Sequence, residues 1–165
     1  MKRLLIFLII LIFLSCLHQP PQHMSPAAKK QILTEINAMF SKLTHFSEIA
    51  QTDSFLSFYE NYPDFVHIAG DGKMRDFDGF KKICTDYYDS LKDQKISMVT
   101  EKTNVLDTNL AISGWTVNIL AHFKNGDMMR MDNYSITYLI KKIDGQWKII
   151  HTHESSLPPE LIRKT

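Results

Sequence analysis

The sequence predicts an α+β domain in which three N-terminal helices pack on one face of a strongly curved antiparallel sheet of four to five strands. Apolar residues recur at helical spacing before Leu91, whereas the segments after it are rich in β-branched and aromatic residues. The gaps between the later segments are too short for crossover helices, so neighbouring strands must run antiparallel. A length of 165 residues favours a single domain.

The composition excludes several classes of protein. Hydrophobic residues make up 44% of the chain and charged residues 22%, which is typical of a globular domain rather than a disordered segment. A formal net charge of +1 provides no broad basic surface, so nucleic acid is not a predicted partner. Two cysteines cannot form a disulfide framework.

The N-terminus has the pattern of a targeting signal. Lys2 and Arg3 precede an apolar run over residues 4–14, which is shorter than the roughly 20 residues that a membrane helix needs. The run ends in Phe13-Leu14-Ser15-Cys16, which resembles a bacterial lipobox. This resemblance implies a cleaved signal peptide over residues 1–15 and a lipidated Cys16 that anchors an exported protein to a membrane of the bacterial cell envelope. An ordinary secretory signal that happens to contain Cys16 is the alternative.

The helices follow a tether. Residues 16–26 include three prolines and show no periodicity, which indicates an extended linker. Ser25-Pro26 is a typical N-cap and first helical residue. A second helix starts at Thr52 or Asp53 and ends before Tyr62-Pro63. The apolar positions of the first and third helices are Ile32, Leu33, Ile36, Met39, Phe40 and Leu43, then Phe80, Ile83, Cys84, Tyr87, Tyr88 and Leu91.

The strands are predicted from alternation and from turn residues. A short strand over residues 65–69 precedes a turn at Gly70-Asp71-Gly72, and four longer strands cover residues 95–106, 110–123, 128–142 and 146–155. Strict alternation places Arg130, Asp132 and Tyr134 on one face. This mixed polar and aromatic face fits either a pocket or a subunit interface.

The last predicted strand carries a family motif. Trp147, His151, His153, Ser155 and Pro158 are spaced as W-x-x-x-H-x-H-x-S-x-x-P. Together with the element order, the motif is similar to the nuclear transport factor 2-like superfamily, in its SnoaL-like and ketosteroid-isomerase-like branch. The resemblance covers residues 27–158, leaving 159–165 as a tail. It implies a cone-shaped α+β barrel with an internal pocket, and a homodimer.

Candidate catalytic residues follow from that pocket. In a largely apolar cone, Asp132 is suited to act as a general base that removes a carbon-bound proton. Tyr134 then donates to the developing oxyanion, and His153 relays a proton. A surface ion pair between Arg130 and Asp132 is the alternative. The remaining predicted pocket residues are Tyr59, His67, Trp115, Arg130 and His151.

A metal site is disfavoured at the histidine pair. His151 and His153 lie two residues apart, so a regular strand directs both to one face and Glu154 to the other. Two histidines without a third ligand nearby do not make a zinc site. No metal and no cofactor are therefore predicted.

Two functions remain open. The first is a lipid-anchored domain that binds a small apolar or amphipathic ligand, or a protein partner, in its cone. The alternative is a cofactor-independent isomerase, dehydratase or cyclase that uses Asp132 as its base. Members of the superfamily do both, so the fold does not choose between them.

Overall fold

Three helices precede the long strands in the computed structural model, which describes residues 24–164. They are α1 (Pro26–Glu48), α2 (Thr52–Leu56) and α3 (Phe77–Ser90). Ser25 is the N-cap of α1, and its hydroxyl accepts a hydrogen bond from the Ala28 amide at 3.2 Å, as its sequence context predicts. Asp76 caps α3 through the Gly79 amide at 2.9 Å. The lipobox, Cys16 and most of the tether lie outside the described residues.

Within residues 24–164, seven strands form one mixed, unclosed sheet. They are β1 (Val66–Ile68), β2 (Met74–Arg75), β3 (Leu91–Asp107), β4 (Leu110–Phe123), β5 (Met128–Ile143), β6 (Gln146–Ser155) and β7 (Glu160–Ile162). The order is β2-β1-β6-β5-β4-β3, and β7 pairs with the start of β5.

This sheet corrects the prediction of four to five antiparallel strands. The pair of β1 with β6 is parallel, because almost the whole domain separates the two strands in sequence and provides the crossover. The strands β2 and β7 span only two and three residues, so they carry no alternation that a sequence pattern could reveal. Part of the predicted tail is therefore a strand of the sheet.

The core lies between α1 and the concave face of the sheet. One stripe of α1 is buried, and Phe40 on that stripe packs against Trp115 and Tyr138, with ring centroids 4.4 and 5.2 Å apart. Ile36, Ile140 and Ile149 are fully buried in the same core. The amphipathic pattern that predicts the first helix thus also predicts which face it buries.

A β-bulge interrupts the alternation of β5. Val117 pairs with Tyr134 and Ile119 pairs with Met131, so Asn118 stands opposite both Asp132 and Asn133. Asn133 has a φ of +53°, and its amide donates to the Asn118 side-chain oxygen at 2.9 Å. The inserted residue reverses the faces of the strand. Tyr134 and every second residue after it therefore share the concave face with Met131, while Asp132 does not.

A second irregularity interrupts β6. Leu139 pairs with His151 and Ile140 with Ile149, which leaves Ile150 as the extra residue. Trp147 and Ile149 are buried before the shift, and Thr152 is buried after it. Glu154 therefore follows Thr152 on the concave face, and the two histidines of the terminal motif lie on the convex face.

Replacing Asn133 tests the bulge. Asparagine tolerates the left-handed backbone, whereas a β-branched residue does not. Asn133→Val should lower the free energy of unfolding by about 1–3 kcal/mol, and Asn133→Gly should change it by much less. Urea denaturation measures both. Equal stability of the Val variant and the parent protein would mean that the bulge is absent in solution.

A polar cluster fastens α1 to the β5–β6 hairpin. Glu35 accepts hydrogen bonds from Lys142 Nζ at 2.7 Å and Trp147 Nε1 at 2.9 Å, and from Gln31 at 3.2 Å. These hydrogen bonds lower the pKa of Glu35 to about 2, and the bond from Lys142 has the largest effect. About a third of the Glu35 and Lys142 side chains is exposed, so water weakens the ion pair.

The lowered pKa of Glu35 predicts acid sensitivity. Because the folded pKa lies below that of the unfolded chain, the stabilisation is complete above pH ~4.5 and is lost as the pH falls towards 2. At neutral pH, Glu35→Gln should cost about 1 kcal/mol. Between pH 5 and pH 2 the variant should lose less stability than the parent, as measured by thermal unfolding. Glu101→Gln, at an exposed carboxylate, is the control, and parallel pH curves for parent and Glu35→Gln would contradict the prediction.

None of the helices within residues 24–164 is both long enough and apolar enough to cross a membrane.

Candidate ligand-binding site

The concave face of the sheet, α1 and α3 enclose a cavity of about 280 Å³. This volume is close to the lower end of the range for small-molecule sites. Most of the wall is aliphatic or aromatic. The aromatic members are Phe55, Tyr59, Phe80, Tyr87, Tyr88, Trp115, Tyr134 and Tyr138.

Three polar side chains meet at one part of the cavity wall. Glu154 accepts a hydrogen bond from the Tyr134 hydroxyl. Its Oε2 also lies 3.4 Å from His67 Nε2, and the His67 side chain is only 1% exposed. Neither ring nitrogen of His67 has a hydrogen-bond partner among the described residues. The cavity therefore contains a carboxylate, a phenol and a buried imidazole with unused hydrogen-bonding capacity.

The parallel pairing of β1 and β6 brings His67 into this cluster. His67 pairs with Thr152, and the next residue of β6 on the same face is Glu154. The imidazole packs against Phe80 of α3, with ring centroids 4.8 Å apart. Glu154 in turn pairs with Ile136, two residues after Tyr134 on β5. Three separate strands and a helix thus hold the cluster in place.

A second polar group closes the opposite side of the cavity wall. Ser47 at the end of α1 shares a 2.7 Å hydrogen bond with the Tyr88 hydroxyl and accepts one from Gln94 at 2.8 Å. Tyr87 donates to Gln94 at 2.7 Å. These side chains satisfy one another, so they fix α1 and α3 to β3 rather than offer free groups to a ligand.

Burial keeps the phenols and the thiol of the cavity protonated. Burial raises the pKa of Tyr134 well above its ordinary value, and the Glu154 carboxylate beside it adds to the shift. Burial, and to a smaller extent Glu154, also raises the pKa of Tyr59, Tyr138 and Cys84. The tyrosines are therefore hydrogen-bond donors, and Cys84 is not a ready nucleophile.

The structure places four of the predicted pocket residues in the cavity wall: Tyr59, His67, Trp115 and Tyr134. The indole nitrogen of Trp115 is buried without a hydrogen-bond partner in residues 24–164. It is a second unused polar group of the wall.

The remaining predicted site residues lie outside the cavity lining. Asp132 is exposed at the bulge, and Arg130 approaches Glu160 of β7 at 3.5 Å rather than Asp132. His153 is exposed. His151 is half-buried, and burial together with His153 and His67 lowers its pKa. The faces predicted for these residues were wrong. Side chains alternate between the two faces of a strand, and each bulge adds one residue, so the side chains on its two sides no longer follow one alternation.

Glu154 is not among the site residues predicted from the sequence. Strand alternation correctly separates it from the histidine pair, but it directs Glu154 away from the pocket. Nothing in the residues around Ile150 signals the shift, so only the pairing of β5 with β6 reveals it. Among residues 24–164, no three His, Cys, Asp or Glu side chains are grouped closely enough to hold a metal ion.

Helices packed on an unclosed mixed sheet, with a cavity inside, define the nuclear transport factor 2-like α+β fold. Residues 36–159 match the family model described as SnoaL-like domain. Because this match spans most of the chain, the protein belongs to the SnoaL-like family.

Solved structures with the same fold come from several bacteria. A nuclear transport factor 2-like superfamily protein from Salmonella enterica serovar Typhimurium LT2 has a TM-score of 0.66 at 16% identity, covering 79% of this chain and 94% of its own. A candidate scytalone dehydratase from Novosphingobium aromaticivorans DSM 12444 has a TM-score of 0.71 at 10% identity, covering 86% and 94%.

Hexachlorocyclohexane dehydrochlorinase LinA-type3 from Novosphingobium barchaimii LL02 has a TM-score of 0.68 at 10% identity, covering 86% and 97% of the two chains. Identities this low establish the shared fold alone. No curated protein matches the chain.

Proposed function

We propose that the domain binds a small, largely apolar ligand inside the cone, with a polar end of the ligand at Glu154, Tyr134 and His67. The observation that carries this proposal is the convergence of these three groups on a cavity whose other walls are mainly aliphatic and aromatic. A few placed polar groups in an apolar pocket are the usual composition of a small-molecule site.

The unpartnered atoms support a ligand with hydrogen-bonding groups. Buried polar groups without a partner cost about 1–3 kcal/mol each. The two nitrogens of His67 and the indole nitrogen of Trp115 are in that state. A ligand that supplies their partners recovers part of this cost, which adds to the apolar contact with the rings of the wall.

A cavity-filling variant tests the binding proposal. Ile83 faces the cavity from α3, and Lys81 is exposed on the same helix. Native mass spectrometry of the purified parent protein should detect a co-purifying small molecule. That molecule should be absent from Ile83→Trp and present in Lys81→Trp. Retention of the molecule by Ile83→Trp would show that it binds elsewhere.

A second candidate function is cofactor-independent proton transfer, in an isomerase, dehydratase or cyclase type of reaction. The buried imidazole of His67 beside Glu154 favours it, since an imidazole with a free nitrogen can accept a carbon-bound proton. To donate to a developing oxyanion, the Tyr134 hydroxyl exchanges its hydrogen bond to Glu154 for one to the substrate. By their names, two of the structural neighbours are a dehydrochlorinase and a candidate dehydratase. In this form of the proposal the base is His67, not Asp132.

We also propose that Cys16 is acylated and anchors the exported domain to a membrane of the bacterial cell envelope. Support comes from Lys2 and Arg3, the apolar run over residues 4–14 and the lipobox-like residues before Cys16. Expression of Cys16→Ser in a bacterial host should move the protein from the membrane fraction to the aqueous fraction. A parent protein that incorporates no labelled fatty acid would rule out acylation.

We further propose a homodimer formed through the convex face of the sheet. Gly114 pairs with Thr137 and Thr116 with Ser135 on that face, which gives it small, uncharged side chains. Thr137→Arg should convert a dimer into a monomer in native mass spectra. Thr108→Arg, in the exposed β3–β4 turn, should not. A monomeric parent protein would refute the proposal.

A further inference from the structure

The charge inside the cavity is unbalanced. Among the residues of 24–164 that line it, Glu154 is the only acidic one, and none is a lysine or an arginine. His67 is the only basic side chain of this described lining. Whether the cavity has a net charge therefore depends on these two residues.

His67 does not form a hydrogen bond with the carboxylate beside it. Both of its ring nitrogens are buried without a partner at hydrogen-bond geometry in residues 24–164. The 3.4 Å between Nε2 and the Glu154 carboxylate is longer than an ordinary N–H···O bond. Arg75 interacts with the Glu154 charge, but its guanidinium is paired with Asp71 at 2.7 Å, and Arg75 is not among the residues that line the cavity.

The Glu154 carboxylate has room for another donor. Its Oε2 accepts the Tyr134 hydroxyl, and its Oε1 accepts no hydrogen bond from any described residue. Glu154 lines the cavity, and its side chain is 21% exposed rather than sealed in the core. A carboxylate in such a setting is stabilised by a positive charge close to it.

Electron-rich rings surround the same position. The Tyr134 hydroxyl hydrogen-bonds to the carboxylate, and Tyr59 and Tyr138 line the same cavity. Glu154 of β6 pairs with Ile136 of β5, and Ile136 pairs with Trp115 of β4. Trp115 therefore lies two strands from Glu154 on the same concave face. Aromatic faces attract cations, most strongly where water is excluded.

We propose that the ligand is a small organic cation, an amine or quaternary ammonium with an apolar group, whose charged nitrogen lies beside Glu154 among the tyrosine rings. This proposal rests on the proposed ligand-binding function and specifies the chemistry of the ligand. The apolar group occupies the aliphatic part of the cavity near Ile119 and Met131. A neutral ligand of the same shape makes the same apolar contacts but lacks the electrostatic attraction to Glu154 and the tyrosine rings.

Two probes of equal shape test the charge. Phenyltrimethylammonium and tert-butylbenzene differ in one positive nitrogen, and both are titrated against the full-length protein while tryptophan fluorescence is recorded. The cation should bind at least tenfold more tightly than the hydrocarbon. Glu154→Gln should remove this preference and leave the affinity for the hydrocarbon unchanged. Glu160→Gln, which removes one charge from the surface, should bind like the parent protein.

The outcomes separate the two proposals. Equal affinities of the parent protein for both probes, or a preference that survives in Glu154→Gln, would overturn the cation proposal and leave apolar ligand binding standing. Failure of both probes to bind would count against the cavity as a ligand site altogether. Thermal unfolding of Glu154→Gln shows that any lost preference does not come from a lost fold.

Discussion

Replacing Trp115 with alanine should lower the free energy of unfolding by about 3–5 kcal/mol. Trp115 is 6% exposed and lies between Phe40 of α1 and Tyr138 of β5, with ring centroids at 4.4 and 5.3 Å. The substitution removes the ring that joins the helix to the middle of the sheet, and it opens the cavity into the core. Urea denaturation at neutral pH measures the loss.

Trp115→Phe is the matched control. The phenyl ring keeps the contacts with Phe40 and Tyr138, and it lacks the indole N–H, which has no hydrogen-bond partner among residues 24–164. The free energy of unfolding of this variant should therefore fall by only about 1 kcal/mol. The smaller ring loses packing contacts, but removing the unpaired N–H donor offsets part of that loss. If Phe costs as much as Ala, the indole nitrogen has a partner that stabilises the fold.

Much of the fold could be predicted because its long elements carry complete patterns. The stripe of α1 and the Ser25 cap predicted both the start of the helix and its buried face. The turn signals after Leu91 separated the long strands correctly, to within a few residues. A hydrophobic pattern repeated over ten or more residues is difficult to mistake.

The short pairings could not be predicted, because their information is not local. The parallel pairing of β1 with β6 joins segments about 85 residues apart, with His67 opposite Thr152. The strand β7 spans three residues, and its pairing with Met128–Arg130 extends β5 beyond the reach of β6. Such pairs form because the longer strands are already in place.

The faces predicted for side chains of β5 and β6 were wrong because of two single residues, Asn133 and Ile150. Arguments from alternation assign every side chain of a strand to a face, so one bulge reverses all assignments beyond it. Because of the bulge at Asn133, the cavity wall contains Met131 instead of the predicted Asp132. Because of the shift at Ile150, it contains Glu154 instead of the two predicted histidines. Bulges are frequent next to functional sites, where they redirect a side chain. Strict alternation is therefore least reliable where function is sought.

Replacing His67 with phenylalanine separates the two proposed functions. The ring of His67 is 1% exposed, packs against Phe80, and has no hydrogen bond from either nitrogen to a described residue. An apolar ring of similar shape removes two unsatisfied polar atoms, so the free energy of unfolding should stay the same or rise. If His67 is the base, exchange of the acidic C–H of the co-purified ligand in D2O should fall by about 10²–10⁴-fold.

The measurement is the loss of the ligand C–H signal by proton NMR, with ligand affinity determined in parallel. His45→Phe, at an exposed position of α1 outside the cavity lining, is the control and should exchange at the parental rate. Exchange by His67→Phe at the parental rate would exclude His67 as the base and leave the domain as a binding module. The opposite result is a variant that binds the ligand and is at least as stable as the parent, but no longer exchanges the proton. This would show that His67 serves chemistry at the expense of stability, as functional residues of enzymes often do.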